Sequence, residues 1–258
     1  MDSAILSLLG AFLLSILGLF AFIWSLRKGL LVENPRGAGV IFARGEIGQV
    51  DDPALADPAL RQLQDVSTAR EGAPAGADAG ELRDRIDADR SSAFPVFMFI
   101  AFACLWLLVG SAAGLTASIK LHAPDWLTGD AWLGFGRLRA VHTNAVFYGW
   151  VSNACIAVIL WLLPRLLRTR LAGAGWAMLG GSLLNAGVAA GIGAIASGWS
   201  DGMEFLEIPW QIDVLIFGGI ALVILPALYT LADRKVEHLY VSVWYFVASL
   251  LWVAVLFL

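Results

Sequence analysis

Three side chains in the stretch 136–150, GRLRAVHTNAVFYGW, could do chemistry that apolar residues cannot: Arg137, Arg139 and His142. Arg139 precedes His142 by three residues, so in a helix both side chains lie on one face. An imidazole inside an apolar helix is a candidate ligand, because ionisable groups in membrane helices are usually functional. Hydrogen bonding between helices is the alternative role for His142, and the residues alone do not decide between the two.

The arginines indicate what such a histidine could bind. Haem iron often takes a neutral imidazole as an axial ligand, and haem also carries two propionate carboxylates. Guanidinium groups bind carboxylates through two parallel hydrogen bonds. Arg139, and Arg137 at the membrane interface, could therefore hold the propionates. The alternative is that both arginines only extend to the lipid headgroups.

Acidic side chains form a second candidate site, in the segment 197–208, SGWSDGMEFLEI. The carboxylates of Asp201, Glu204 and Glu207 could bind a divalent cation, because hard cations prefer oxygen ligands. Solvation by water is the commoner state of an acidic loop. The spacing alone therefore favours the simpler role.

The composition indicates the environment of these residues. The chain has 258 residues, of which 59% are hydrophobic and 15% charged, whereas soluble domains carry about 25% charged residues. The apolar residues occur in blocks of ~20, the length of a membrane-spanning helix, so we expect an integral membrane protein. The net charge of −4 gives no indication of nucleic-acid binding. Cys104 and Cys155 are predicted to be packing residues, and His122 and His238 to lie at the two membrane surfaces.

Six blocks predict an all-α integral membrane fold with about six transmembrane helices. The blocks are uninterrupted apart from Pro226 and lack the alternation of barrel strands. The small-residue segment 180–198 predicts close packing between helices. The predicted spans are 4–26, 94–119, 138–163, 173–197, 210–232 and 239–258.

Charge in the loops predicts the orientation. The loops 164–170 and 233–238 are basic and the loop between them is acidic, so the positive-inside rule places the two basic loops in the cytoplasm. Residues 1–28 then form an anchor helix with a periplasmic N-terminus. Residues 29–92, rich in Ala, Asp, Gly and Pro, are predicted to be a flexible acidic cytoplasmic linker. His142 falls near the outer end of its helix.

Three motifs, in one order and with similar spacing, resemble a known family. GRLRAVHTNAVFYGW is similar to the second-helix motif of subunit I in cbb3-type cytochrome c oxidases, the C branch of the haem-copper oxidases. MEFLEIPWQIDVLIF and RKVEHLYVSVWYF resemble the next two landmarks of that subunit. The resemblance covers roughly residues 92–258. It implies that the domain 93–258 is the N-terminal part of subunit I, with the first five helices of its bundle.

The resemblance also implies roles for the candidate residues. His142 would be one axial ligand of the low-spin haem b, and Arg139 and Arg137 would hold its propionates. Glu207 as first choice, and Glu204 as second, would contribute to a calcium site near those propionates.

The chain departs from the family pattern in several places. The family often has proline where Ala140 stands and a second acid where Pro209 stands. Its copper-B histidines, the haem b3 ligand and the second ligand of the low-spin haem lie beyond the position that matches Leu258. We therefore expect no catalytic residue in this chain, and haem b3 and copper-B only together with the C-terminal part of the subunit.

The function implied is that of the N-terminal portion of the catalytic subunit of a proton-translocating cytochrome c oxidase in the bacterial inner membrane. Electrons from cytochrome c would pass through partner subunits that carry haem c to the low-spin haem b. They would continue to a haem b3–copper centre that reduces oxygen to water with proton uptake. The chain by itself is expected to be inactive.

Two other functions stay open. A nitric oxide reductase-like subunit would keep a similar histidine motif, although RKVEHLYVSVWYF argues against it. A non-catalytic membrane scaffold or oxidase assembly protein would explain the missing ligands and the extra first helix. The first ~45 residues resemble, less specifically, the small single-helix assembly protein of these oxidases at Trp24, Arg27 and Gly29. An ordinary anchor helix is the alternative interpretation of that segment.

Overall fold

The computed structural model describes most of the chain after residue 74. The described residues are Phe20, Ile23, Arg27, 75–236 and 239–255. Contacts divide the chain into two units, Met1–Phe42 and Ala43–Leu258, and the helices below belong to the second. The predicted anchor helix, apart from three residues, and residues 29–74 of the predicted linker lie outside the described residues.

Within the described part of the chain, six α-helices form a bundle and no β-strand occurs. The π-helical segment Ala145–Val151 continues α2 directly into α3, and a short 3₁₀ turn, Ala131–Leu133, precedes α2. The helices are α1 (Ala75–His122), α2 (Phe135–Asn144), α3 (Ser152–Leu166), α4 (Ala174–Ser197), α5 (Trp210–Ala232) and α6 (Val241–Val255).

Four helical stretches of the described chain are long and apolar enough to cross a membrane. They are Arg83–His122, Phe135–Leu166, Ala174–Ser197 and Trp210–Ala232. α6 contributes a shorter apolar helix, Val241–Ala254. The predicted all-α architecture is thus confirmed for the described residues, and four predicted spans coincide with the long stretches. The first two stretches extend beyond their predicted spans because polar residues at their ends continue the helix.

α1 begins earlier than the sequence predicts. Residues 75–92, predicted to be the end of a flexible linker, form its first turns. Cations in the last turn of α3 and in the loops after α3 and α5 hold the acidic side chains of this extension, a pairing that hydropathy does not register. The ion pairs join Asp84 to Lys235 (2.7 Å), Asp87 to Arg170 (2.8 Å) and Asp89 to Arg165 (2.6 Å).

Arg165 is the buried cation of this set, with 6% of its surface exposed. Its Nε and Nη2 donate to the two carboxylate oxygens of Asp89, each at 2.6 Å. Its guanidinium carbon lies 4.6 Å from the ring centroid of Trp161. A buried cation without such partners would be strongly unfavourable. The α1 extension is therefore a packed part of the bundle.

Glycines allow close contact between α4 and α5, as the small-residue segment predicts. A Cβ atom on Gly219 would lie 2.5 Å from the backbone nitrogen of Leu184 and 2.8 Å from the carbonyl oxygen of Gly180. Both neighbours are backbone atoms, which cannot rotate aside as a flexible side chain can. The two helices therefore pack through their backbones, as is usual where small residues line membrane helices.

Replacing Gly219 by alanine is expected to destabilise the bundle by about 2 kcal/mol, the magnitude typical of an overpacked core. Thermal unfolding in detergent measures the change. The matched control is Gly193→Ala on α4, where an added Cβ meets no atom within 4 Å and alanine favours the helix. Equal unfolding midpoints for the two variants would contradict this account of the α4–α5 contact.

Candidate functional site

The residues singled out in the sequence lie at one end of the bundle. α2 begins there at Phe135, α4 ends at Ser197 and α5 begins at Trp210. Contacts from the start of α2 to the last turn of α4, and to the segment joining α4 to α5, bring these ends together. The ion pairs of the α1 extension join the ends of other helices, those at Leu166 and Ala232. The candidate site and the basic loops thus occupy opposite ends.

His142 is half-buried in α2, one turn after Arg139, and faces α1. Its Nδ1 lies 2.7 Å from the carbonyl oxygen of Gly110. A carbonyl only accepts hydrogen bonds, so in the neutral ring Nδ1 carries the proton and Nε2 keeps its lone pair. A histidine oriented by a carbonyl in this way is typical of metal ligands that bind through Nε2.

Gly114 of α1 leaves room for the His142 ring. A Cβ atom on Gly114 would lie 2.6 Å from Nδ1 and 2.7 Å from Cε1 of that ring. Gly110 and Gly114 are four residues apart and therefore share one face of α1. Neither glycine was predicted to belong to the site, although their spacing of four residues on one helix was the signal that could have identified them.

Arg139 joins the two acids that were proposed for a cation site. Its Nη1 donates to Oε1 of Glu204 at 3.1 Å, and its Nη2 lies 3.6 Å from Oε1 of Glu207. The side chain of Glu204 is 67% exposed, whereas that of Glu207 is 7% exposed. Arg139 therefore neutralises one solvated and one buried carboxylate.

Glu207 is anchored from two sides. Asn144 Nδ2 donates to its Oε2 at 2.7 Å, and the Asp201 backbone N–H donates to its carbonyl oxygen at 3.0 Å. Oε1 of Glu207 and Oδ1 of Asn144 are buried and accept no hydrogen bond from the described residues. Asn144 was missed in the sequence analysis, although it lies within the histidine motif. Two buried acceptors without donors mark this position as able to take a cation or a proton donor.

Arg137 has a different partner from Arg139. Its Nη1 donates to the carbonyl oxygen of Ala196 at 3.1 Å, in the last turn of α4. Gly198 follows with φ of +96°, and a Cβ there would collide with Nη2 of Arg137. A cation at a helix C-terminus interacts favourably with the helix dipole. The structure thus brings Arg139, but not Arg137, together with the acids.

The segment between α4 and α5 is also fixed to the π-helical segment. The Tyr148 hydroxyl donates to the carbonyl oxygen of Phe205. The rings of Phe147 and Phe205 have centroids 6.4 Å apart. Phe205 has a φ of +65°, in the left-handed region that side chains seldom adopt. These contacts hold Glu204 and Glu207 over the start of α2.

The side chains at this site fit a cofactor that needs one protein ligand better than a metal ion that needs several. The described residues contain no group of three or more His, Cys, Asp or Glu side chains that could enclose a metal ion. A haem would require only one axial ligand from this helix, because the porphyrin supplies the equatorial nitrogens. The Nε2 lone pair of His142 fits that requirement.

Among the described residues, His122 and the two cysteines do not join this site. His122 is exposed at the end of α1, and His238 lies outside the described residues. Cys104 and Cys155, predicted to pack inside the bundle, are exposed on its surface. Hydropathy could not place them correctly, because in a membrane helix the lipid-facing and the buried faces are both apolar.

Comparison with known proteins identifies the family. The model of the family described as "Cytochrome C and Quinol oxidase polypeptide I" matches residues 95–258, more than half of the chain. The chain belongs to this family. All three motifs lie inside the matched region. A relative named as cbb3-type confirms the resemblance to cbb3-type subunit I.

Individual relatives agree with the oxidase family. The chain is 32% identical over 167 residues to the "Cytochrome c oxidase subunit 1 homolog" of Azorhizobium caulinodans, covering 64% of this chain and 30% of the relative. It is 32% identical over 171 residues to the "Cbb3-type cytochrome c oxidase subunit CcoN1" of Stutzerimonas stutzeri, covering 62% and 34%. The chain thus spans about a third of the length of these relatives.

Proposed function

We propose that this chain forms the N-terminal part of the catalytic subunit of a cbb3-type oxidase and binds low-spin haem b through His142. The observation that carries the proposal is the 2.7 Å contact between His142 Nδ1 and the Gly110 carbonyl, which leaves Nε2 for iron. Family membership supports haem as the ligand. The bound haem supplies one-electron transfer.

The residues around His142 orient and charge-balance the haem in this proposal. Arg139 lies one turn before His142 on the same helix face and directs its guanidinium to the outer end of the bundle. Arg137 uses one N–H on the Ala196 carbonyl and has further N–H donors for a propionate. Both would hold propionates, and Arg139 would do so while keeping Glu204 and Glu207 neutralised.

A calcium ion is the second proposed ligand. Glu207 is its first donor and Glu204 its second, supported by the buried Oε1 of Glu207 that lacks a hydrogen-bond donor among the described residues. Calcium takes six to eight oxygen ligands, so these two carboxylates would supply only part of its shell. Propionates or water would supply the rest.

The wider assignments are also proposals. The chain would be a multi-pass protein of the bacterial inner membrane, with residues 1–28 as an anchor whose N-terminus is periplasmic. Residues 29–92 would be cytoplasmic, with the part from Ala75 onward helical. Partner subunits with haem c would pass electrons from cytochrome c to this chain. Haem b3 and copper-B would be held by the C-terminal part of the subunit and would reduce oxygen.

Gas consumption by membranes tests this function. Deleting the gene in its host is expected to remove cytochrome c-dependent oxygen consumption, and complementation is expected to restore it. Nitric oxide consumption that followed the gene instead would favour the reductase-like alternative. The assembly role would be favoured by a different result. In that case the deletion would remove the oxidase subunits from the membrane, and the His142→Ala chain would restore both these subunits and full oxygen consumption.

A further inference from the structure

A polar cluster lies in the centre of the bundle, away from the candidate site. Its members are Trp106 of α1, Asn153 of α3 and Asn185 of α4, which are 7%, 0% and 4% exposed. Amide groups are unfavourable in an apolar core unless their donors and acceptors are paired. Their presence at the junction of three helices therefore requires an explanation beyond packing.

The hydrogen bonds of the cluster are complete. Asn185 Nδ2 donates to Asn153 Oδ1 at 2.9 Å, and Asn153 Nδ2 donates to Asn185 Oδ1 at 3.1 Å. Trp106 Nε1 donates to the same Asn185 oxygen at 2.8 Å. Asn153 Nδ2 also reaches the Gly149 carbonyl at 2.6 Å, and Asn185 Nδ2 the Gly181 carbonyl at 2.8 Å. Satisfied networks of this kind fix one arrangement of the helices that carry them.

Two members of the cluster act on the π-helical segment. The Gly149 carbonyl, which accepts from Asn153, lies within Ala145–Val151. The Trp106 ring occupies the space of a Gly149 side chain, since a Cβ there would lie 2.5 Å from its Cγ. The cluster thus holds the segment through both a backbone carbonyl and a close ring contact.

The π-helical register couples this cluster to His142. A π-helical turn accommodates one residue more than an α-helical turn, and each residue rotates a helix by ~100°. If the segment relaxed to α-helix, α3 would rotate relative to α2 by about that angle. Asn153 could then not face Asn185 while His142 faced Gly110. Only the π-helical register satisfies both contacts.

We propose that Trp106, Asn153 and Asn185 are positioning residues that select the π-helical register and thereby aim the His142 imidazole at its ligand. The inference rests on the proposed function of His142 as the haem ligand. It adds three residues whose side-chain hydrogen bonds do not reach the imidazole: Trp106 lies one helical turn before Gly110 on α1, and Asn153 lies eleven residues after His142.

The test is the double variant Asn153→Leu with Asn185→Leu in the assembled oxidase. Two leucines of similar size keep the bundle packed, and Trp106→Phe is added because the indole N–H of Trp106 would otherwise lose its acceptor on Asn185. The expected result is a shifted or lost low-spin haem spectrum, with hydrogen exchange in residues 145–152 about tenfold faster because a buried hydrogen-bond network has been removed. Ser182→Ala, which removes an exposed hydroxyl of α4, is the control and is expected to change neither.

Trp106→Phe alone covers the case in which the combined variant does not assemble. It removes one hydrogen bond and keeps an aromatic ring against Gly149, so we expect a change of the same direction and smaller size. An unchanged spectrum and unchanged exchange in the variants that assemble would overturn the positioning role. Retention of the low-spin spectrum in His142→Ala would instead overturn the proposed function, so the two failures are distinguishable.

Discussion

Replacing His142 by alanine is expected to abolish the low-spin haem b signal of the assembled oxidase. Alanine has no lone pair for iron, and the Gly110 carbonyl and the space beside Gly114 would then face an empty position. Reduced-minus-oxidised absorbance spectra and electron paramagnetic resonance measure the loss. Electron delivery through this haem should fall with it, so oxygen consumption should drop at least ~100-fold, as expected when a metal ligand is removed.

Two controls make the His142 result specific. His122→Ala removes an exposed imidazole at the end of α1 and is expected to leave the spectrum unchanged. The haem c signal of the partner subunits reports whether the His142→Ala complex still assembles. An assembled complex with an unaltered low-spin spectrum would exclude His142 as the ligand and return it to the helix-packing role that the sequence also allowed.

The sequence predicted four of its six spans well, because membrane helices are determined mainly by hydropathy and length. It predicted an α1 that begins too late, because residues 75–92 are polar. Their helical packing depends on partners that are distant in the chain, such as Arg165 and Arg170. No local pattern reports such long-range ion pairs. A packed polar helix and a flexible linker therefore have the same sequence pattern, and only the contacts with the basic loops distinguish them.

In the candidate site, too, the contacts between distant residues could not be predicted from the sequence. The residue types and spacing singled out His142, Arg139 and Glu207, and the structure joins the last two in an ion pair. Periodicity could not show that Arg137 turns to the end of α4, because the Ala196 carbonyl belongs to another helix. Nor could it show the π-helical segment, whose Gly149 carbonyl accepts a hydrogen bond from Asn153.

Replacing Arg139 by alanine is expected to keep the haem but lower its midpoint potential by several tens of millivolts. The reduced haem carries one more electron than the oxidised form, so a nearby cation stabilises the reduced form and its removal lowers the potential. At a separation of ~10 Å and an effective dielectric constant of ~20, one charge contributes roughly 70 mV. The Arg139 side chain is 42% exposed, so solvent reduces this effect. Redox titration of the low-spin band measures the shift.

The same variant also leaves the buried Glu207 carboxylate without its cation, which is expected to loosen the segment between α4 and α5. Glu204→Gln is the matched control of opposite sign, because it removes an anion that is 67% exposed. We expect it to raise the potential slightly and to leave Glu207 paired with Arg139. If Arg139→Ala and Glu204→Gln both left the potential unaltered, Arg139 would not act on the haem, and its contacts would serve only to hold the acidic segment and reach the headgroups.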